Sequence, residues 1–237
     1  MSQWSLTDDE LLEAARERGI PITNPKMLRQ SLTHKSAVAD HPRDSNERLE
    51  FLGDAVLSHV IARYLYDTLP GHSEGALAKA RALIVCKTAL AEASTRLNLT
   101  PLLVLGPTEE AMGGRSRASL IADAYEALVA VIAIETGWES AGVFILTTLQ
   151  PVIESVKAST DWRDPKTALQ EWCQARGKAL PMYRIVNEYG KPHDRTFTAE
   201  VEIGGDILGS GTGKSKKDAQ QAAAEIALAH IESRRSA

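Results

Sequence analysis

Apolar residues recur at three- and four-residue intervals from Leu6 to about Glu154, and this spacing predicts a succession of helices. Turn signals rich in glycine and proline, such as Gly19-Ile20-Pro21 and Leu69-Pro70-Gly71, separate the helical stretches from one another. The pattern therefore predicts an all-helical domain over residues 5–156.

The pattern changes after a short polar stretch, residues 157–163, which we interpret as a linker. A helix is predicted at about 166–176, strands at 182–188, 196–203 and 206–210, and a last helix at 215–233. In the middle strand Phe197, Ala199, Val201 and Ile203 alternate with polar residues, which is typical of a half-buried antiparallel strand. The chain is therefore predicted to be multidomain, with an all-α domain followed by a small α+β (α-β-β-β-α) domain over residues 164–233.

Composition and charge restrict the class of protein further. The 237 residues carry a net charge of −4, so the total charge does not suggest a polyanion partner. The longest unbroken apolar stretch, Ala127–Ile134, is too short to span a bilayer, which predicts no membrane partner. Cys86 and Cys173 have no metal-ligand spacing and fit a reducing compartment. We expect a cytoplasmic protein.

Acidic residues fall on one face of two predicted helices. Glu47, Glu50 and Asp54 are spaced i, i+3, i+7, and Asp123 and Glu126 are spaced i, i+3. Apolar residues surround both sets, so we expect both helices to be buried.

Buried carboxylates require compensation, because an uncompensated ionised carboxylate inside a protein costs many kcal/mol. They must pair with a base, take up a proton or bind a cation. Arg48, Lys79 and Arg81 lie in helical stretches and leave pairing open. Cation binding is favoured, and oxygen ligands without a histidine or cysteine cluster select Mg²⁺, with Mn²⁺ as a substitute.

Several segments resemble the ribonuclease III family. In chain order, which is also the family's order, they are SLTHKSA at Ser31–Ala37, the signature NERLEFLGD at Asn46–Asp54, GPTEEAMGGRSR at residues 106–117 and ADAYEAL at Ala122–Leu128. The resemblance implies an endonuclease domain that hydrolyses double-stranded RNA with Mg²⁺. It implies 5′-phosphate and 3′-hydroxyl ends with a short 3′ overhang, and a role in processing rRNA precursors and other structured transcripts.

The resemblance also implies roles for the acidic residues. Glu50, Asp54, Asp123 and Glu126 would ligate magnesium, with Asp54 and Glu126 the most important for cleavage. Glu47 and Glu74 would be auxiliary acidic residues. Glu74 has a second interpretation, because an acidic residue in the first turn of a helix is favoured by the helix dipole alone. His34, within SLTHKSA, is predicted to be a structural hydrogen-bonding residue.

A glycine- and lysine-rich segment near the carboxy terminus contains phosphate-binding chemistry. GSGTGKS at Gly209–Ser215 lacks the first glycine of a P-loop, because that position is Leu208, and we predict no nucleotide cofactor. We expect residues 211–213 to form a turn into the last helix. The first turn of that helix would then present Lys214, Lys216 and Lys217 to phosphate groups. A solvated lysine cluster stays the alternative interpretation.

The order α-β-β-β-α, with DPKTALQEW at residues 164–172, resembles the double-stranded RNA-binding domain. The resemblance implies three RNA-binding regions, which read the shape of duplex RNA more than its sequence. They are Thr167, Gln170 and Glu171 on the first helix, Pro192 and His193 in a loop, and Lys214, Lys216 and Lys217.

Cleavage of both strands of a duplex requires two acidic clusters, so the resemblance implies a C2 homodimer. Phe51 is a candidate side chain for the interface between subunits. Two other functions remain open: a non-catalytic double-stranded RNA-binding protein, and a helical metal phosphohydrolase acting on nucleotides.

Overall fold

A computed structural model describes residues 6–159, 162, 164–191 and 194–233. The chain folds as two compact units. The first contains the described residues up to Pro70 and those from Leu77 to residue 159. The second contains Gly71–Ala76 and the described residues from 162 onward. The predicted domain limits of 5–156, 157–163 and 164–233 stay a prediction.

The first unit is helical, as the apolar spacing predicted. Local signals explain how several helices begin: Thr7 forms a capping box with Glu10, and the Asn24 side chain accepts hydrogen bonds ahead of Pro25. Short 3₁₀ helices lie at Lys35–Ala37, Pro42–Asp44, Thr100–Leu102 and Gly114–Ser116. The α-helices described up to residue 159 are α1 (Asp8–Glu17), α2 (Pro25–Ser31), α3 (Glu47–Thr68), α4 (Glu74–Ile84), α5 (Lys87–Arg96), α6 (Pro107–Ala111) and α7 (Ala118–Ala158).

Helix α7 forms the centre of the first unit, where it packs against α3, α5 and α2. Tyr125 and Leu128 of α7 are fully buried, as are Leu57 and Ile61 of α3. Because α3 and α7 share this core, the acidic positions on the two helices are brought to one side of their contact.

By length and composition alone, α7 would be able to cross a membrane, with a mean hydropathy of 1.5 over its most apolar window. Half of that window is buried within the unit, as in the core helix of a globular domain. Gly137 has non-helical backbone angles (φ 87°, ψ 168°) and interrupts the helix.

The second unit has the predicted α-β-β-β-α order. Helix α8 (Pro165–Gln174) is followed by β1 (Met182–Tyr189), β2 (Thr196–Ile203), β3 (Asp206–Gly213) and α9 (Lys216–Ser233). The strands form an antiparallel sheet in the order β1-β2-β3. The two helices pack on it around a core that includes Leu169, Val201, Ile203 and Ala223.

The glycines near the end of β3 correct one prediction. Gly211 and Gly213 continue the strand and form no turn, so Lys214 precedes α9 and does not lie in its first turn. The physical reason is close packing of β3 against α9. A Cβ atom on Gly211 would lie 2.3 Å from the Ala223 nitrogen, and one on Gly213 would lie 2.4 Å from the Ala219 nitrogen.

Candidate functional site

Helices α3 and α7 bring three carboxylates together. Glu50 of α3 and Asp123 and Glu126 of α7 each offer a ligand oxygen, and these oxygens lie within 4.8 Å of one another. We call these three residues the carboxylate triad. Residues separated by more than 70 positions in the sequence thus meet at one point, where a single cation would contact all three.

Gly53 makes this close approach of the helices possible. It is buried within α3, and a Cβ atom at this position would lie 1.8 Å from the Glu126 carbonyl oxygen. Any larger residue would therefore separate the backbone that carries Glu50 from the backbone that carries Glu126. Sequence reasoning missed this residue, although a glycine inside a helical pattern is a signal of close packing.

Two other predicted acidic residues of α3 lie outside the triad. Asp54 is exposed, yet its charge acts on Glu126. Glu47 is also exposed, and its Oε1 accepts a hydrogen bond from the Lys35 ammonium group at 2.9 Å. The structure therefore places Asp54 beside the triad and gives Glu47 a basic partner.

Glu74 is the first residue of α4 and is exposed. Beside it, the Ser73 hydroxyl accepts a weak hydrogen bond from the Ala76 N–H at 3.4 Å. These contacts are those of a helix start, which was the alternative interpretation of Glu74. A role in substrate or subunit contacts stays a prediction.

The expected burial of the two acidic helices does not extend to all of their acidic positions. Glu50, Asp123 and Glu126 are half-buried, whereas Glu47 and Asp54 are exposed. The reason is that α3 directs Leu49, Val56, Leu57 and Ile61 into the core and leaves the acidic stripe at the edge of the unit. The triad is therefore accessible to a cation and to solvent.

The triad nevertheless carries an unfavourable concentration of negative charge. Burial raises the pKa of Glu126 to about 7, with further contributions from the charges of Asp54, Glu50 and Asp123. Burial and the neighbouring Asp123 also raise the pKa of Glu50. A bound cation would relieve both effects, because it favours the ionised form of each carboxyl group.

Basic partners of the site are not those considered from the sequence. Within the described ranges, Arg48, Lys79 and Arg81 form no ion pair with the triad. Instead, the Lys87 ammonium group lies 3.3 Å from Asp123 Oδ1. One basic residue cannot neutralise three carboxylates, so pairing compensates the triad only in part.

The donor set fits a hard divalent cation. It consists of carboxylate oxygens from three residues, and neither a histidine nor a cysteine belongs to the group within the described residues. Magnesium and manganese prefer oxygen ligands of this kind and retain bound waters that complete their coordination.

His34 has the hydrogen bonds of a structural residue, as predicted. Its Nδ1 lies 2.8 Å from the Ser36 hydroxyl and accepts a hydrogen bond from the Ser36 N–H at 3.3 Å. The same hydroxyl accepts a hydrogen bond from the Gly106 N–H at 2.9 Å. Burial lowers the pKa of His34, which favours the neutral ring that this arrangement requires. The histidine thus links the two loops next to the site.

In the second unit, the described residues predicted to bind RNA lie on α8 and at the start of α9. Thr167 is in the first turn of α8, where its N–H donates to the Asp164 side chain at 3.1 Å. On the same helix Gln170 is exposed and Glu171 is half-buried. Exposed lysines lie just before and at the start of α9: Lys214, Lys216 and Lys217.

Two hydrogen bonds hold these helix ends side by side. The Lys166 ammonium group donates to Gln220 Oε1 at 2.7 Å, and the Gln221 amide donates to Asp164 Oδ2 at 2.8 Å. Because Gln221 lies one helical turn after Lys217, the bonds bring the first turn of α8 close to the lysines. Sequence reasoning did not identify Lys166, which also lies 4.5 Å from the centre of the Tyr183 ring.

The predicted Pro192 and His193 lie outside the described residues. The residue after them is tied to the lysine region, because Asp194 Oδ1 accepts a hydrogen bond from the Lys214 ammonium group at 2.6 Å. Part of the loop end is thereby placed next to the predicted phosphate contacts.

Comparisons with protein families identify both units. A family model described as Ribonuclease-III-like matches residues 24–153. A second one, described as Double-stranded RNA binding motif, matches residues 165–231.

Curated proteins resemble nearly the whole chain. A protein named Ribonuclease 3 from Desulforamulus reducens is 42% identical over 231 residues, which cover 96% of this chain and 94% of the relative. A protein of the same name from Bacillus licheniformis is 41% identical over 216 residues, covering 90% and 86%.

The first unit also resembles a solved structure. The nuclease domain of ribonuclease III from Campylobacter jejuni, described for structural flexibility in a region involved in its dimer formation, is 34% identical in sequence. The match has a TM-score of 0.53 and covers 60% of this chain and 95% of that domain.

Proposed function

The chain belongs to the ribonuclease III family, and we propose that it cleaves double-stranded RNA in a Mg²⁺-dependent reaction. Family membership supports an endoribonuclease hydrolase, and the RNA-binding motif supports double-stranded RNA as its partner. The further proposal concerns the cation, the ends of the products and the substrates. It specifies 5′-phosphate and 3′-hydroxyl ends, a short 3′ overhang, and rRNA precursors among other structured transcripts.

The observation that carries this proposal is the convergence of Glu50, Asp123 and Glu126 within 4.8 Å of one another. With Asp54 beside them, these residues would hold Mg²⁺ through carboxylate oxygens. A bound Mg²⁺ would supply positive charge to a phosphodiester group undergoing in-line displacement. It would also reverse the local sign of charge, which explains how an acidic domain acts on a polyanion.

The chain's own carboxylates have distinct tasks in this proposal. Because its pKa is about 7, Glu126 holds a proton in part of the molecules at neutral pH and must release it to solvent when a cation binds. Asp54 is exposed and lies close enough for its charge to act on Glu126. As the resemblance to the family implies, we propose that Glu126 and Asp54 are the two residues most important for cleavage.

The second unit would hold the duplex. Lys214, Lys216 and Lys217 are exposed at the start of α9 and would contact phosphate groups, while Thr167, Gln170 and Glu171 on α8 would reach a minor groove. The bonds that join the amino-terminal ends of α8 and α9 support a single RNA-binding surface formed by both helices.

We also propose a homodimer and a cytoplasmic location. A two-fold axis would place one triad against each strand of a duplex and determine the stagger of the cuts. Phe51 is 81% exposed although it lies on the signature helix, which supports its place at a subunit interface. The thiols of Cys86 and Cys173 are both free, as expected in a reducing compartment.

The deciding experiment is incubation of a long duplex RNA with the full chain, with and without Mg²⁺, followed by gel electrophoresis. We expect short duplex products only with Mg²⁺, and sequencing of their ends is expected to show a 3′ overhang. Binding of the duplex without cleavage at any Mg²⁺ concentration would favour the non-catalytic RNA-binding protein. Turnover of free nucleotides without cleavage of RNA would favour the phosphohydrolase.

A further inference from the structure

Lys87 forms an ion pair with the proposed cation site. Its ammonium group lies 3.3 Å from Oδ1 of Asp123, a member of the carboxylate triad. Among the ion pairs of the described residues, this is the one that joins a lysine or arginine to the triad. The Lys87 ammonium group is therefore already paired with a carboxylate that a divalent cation would bind.

The position of Lys87 has no local explanation. It is the first residue of α5, and a cation at a helix amino terminus is disfavoured by the helix dipole. The preceding residue, Cys86, makes no side-chain hydrogen bond that would cap the helix. The favourable partner of Lys87 is instead the acidic group on α7, 36 positions away in the sequence.

The charge of Lys87 acts on the whole triad. Its strongest interaction is with Asp123, followed by Glu50 and Glu126. Because the Lys87 side chain is 63% exposed, its long stem leaves the ammonium group free to rotate into solvent. The Asp123 side chain is only 18% exposed, so it stays at the site when the lysine leaves.

We propose that Lys87 is a competing counter-ion, which stabilises the carboxylate triad without metal and must release Asp123 when a divalent cation binds. The lysine thereby lowers the affinity of the site for the cation. This inference rests on the proposed function only in that the triad binds a divalent cation, and it makes no claim about RNA.

The test compares cation binding by the metal-free full chain and by Lys87→Met, which keeps the length of the side chain and removes its charge. Isothermal titration calorimetry with Mn²⁺ gives the dissociation constant directly. Loss of one positive charge several ångströms from a divalent ion is expected to tighten binding by about tenfold. The melting temperature of the metal-free variant is expected to fall, because the triad loses its counter-ion.

Two variants control for other effects of the substitution. Lys87→Arg keeps the charge and is expected to keep the wild-type affinity. Lys35→Met removes a lysine of nearly equal exposure, 62%, that pairs with Glu47 outside the triad. Because Lys35 interacts more weakly with Glu50 and Asp123 than with Glu47, its loss is expected to change the affinity much less.

The outcomes separate this inference from the proposed function. Equal or weaker Mn²⁺ binding by Lys87→Met overturns the role of Lys87, even if the wild-type protein cleaves duplex RNA. Tighter binding by Lys87→Met in a protein that cleaves no RNA supports the role of Lys87 and overturns the proposed function. If the wild-type protein binds no divalent cation, both are wrong.

Discussion

Gly53 of α3 lies directly against the backbone of Glu126 of α7, so that a Cβ atom on the glycine would be 1.8 Å from the Glu126 carbonyl oxygen. The absence of a side chain at this one position determines how closely the two acidic helices approach. The geometry of the proposed cation site therefore depends on a residue that has no functional group of its own.

We expect Gly53→Ala to destabilise the protein by about 1–3 kcal/mol, because the added methyl group forces α3 and α7 apart. Cation affinity and cleavage are expected to fall with it. Urea unfolding and Mn²⁺ titration measure the two effects. Gly142→Ala in α7 is the control, because a Cβ atom there meets nothing within 4 Å. Equal stability of the two variants would contradict the packing argument.

Glu126→Gln and Asp54→Asn are each expected to abolish cleavage of duplex RNA and to leave binding nearly unchanged. Each substitution removes a negative charge at the proposed cation site but no predicted contact with RNA. A cleavage assay in Mg²⁺ and a binding titration in Ca²⁺ separate the two properties. Asp67→Asn, an exposed acidic position paired with Arg63 on the same helix, is the control and should cleave normally. Substantial cleavage by both site variants would refute the assigned roles.

The contribution of Glu126 to the stability of the metal-free protein is expected to decrease as the pH rises from about 4.5 to about 7. The pKa of Glu126 is about 7 in the folded protein against an ordinary value of 4.5, so the folded state holds its proton more tightly. The stabilisation that Glu126 contributes is complete below pH 4.5 and is lost once the pH rises above the pKa of about 7 in the folded protein. Melting temperatures of wild type and Glu126→Gln in a chelator, compared across this range, isolate it.

The difference in melting temperature between wild type and Glu126→Gln is the quantity to measure, because other groups titrate in both proteins. Mg²⁺ at saturation is expected to remove the decrease in the wild-type protein, since the cation stabilises the ionised carboxylate. Parallel pH profiles for wild type and variant would show that Glu126 does not have the raised pKa.

Substitution of Lys214, Lys216 and Lys217 by glutamine is expected to weaken duplex binding and to reduce its salt dependence. If each lysine contacts one phosphate, the slope of log K against log salt should fall by about 3. Lys178→Gln, beyond the carboxy-terminal end of α8, is the control and should leave the slope unchanged. An unchanged slope in the triple variant would favour a solvated lysine cluster.

In the absence of RNA, we expect the protein to sediment as a homodimer. Heterodimers of wild type with Glu126→Gln are expected to nick one strand of a duplex. Each intact triad would then serve one strand. Phe51→Asp is expected to weaken the dimer, because it places a charge where an exposed aromatic side chain would be buried. A monomer at working concentration, or cleavage of both strands by the heterodimer, would be inconsistent with two sites.

Secondary structure followed from the sequence where the periodicity of apolar and polar residues was the signal. The alternation from Phe197 to Ile203 predicted a strand at 196–203, and the structure has β2 at the same residues. The spacing of Glu47, Glu50 and Asp54 likewise predicted one face of a helix, since helical periodicity depends only on neighbouring residues. The signature Asn46–Asp54 indicated the family before any contact was known.

Contacts between distant segments were decided only by the tertiary structure. The sequence offered Arg48, Lys79 and Arg81 as partners of the acidic residues, but Lys87 makes the ion pair because α5 packs beside α7. The number of carboxylates that meet, their partial burial and the pKa of Glu126 depend on the same packing.

The glycines show which features local sequence predicts and which depend on tertiary packing. From the sequence alone, residues 211–213 indicated a turn, because glycine is the residue that turns most often require. In the structure Gly211 is extended and its missing side chain makes room for α9, just as that of Gly53 makes room for α7. The sequence by itself determined the elements, the family and the acidic and basic residues. Which backbones touch was decided by packing, because the space available to a side chain depends on residues far away in the chain.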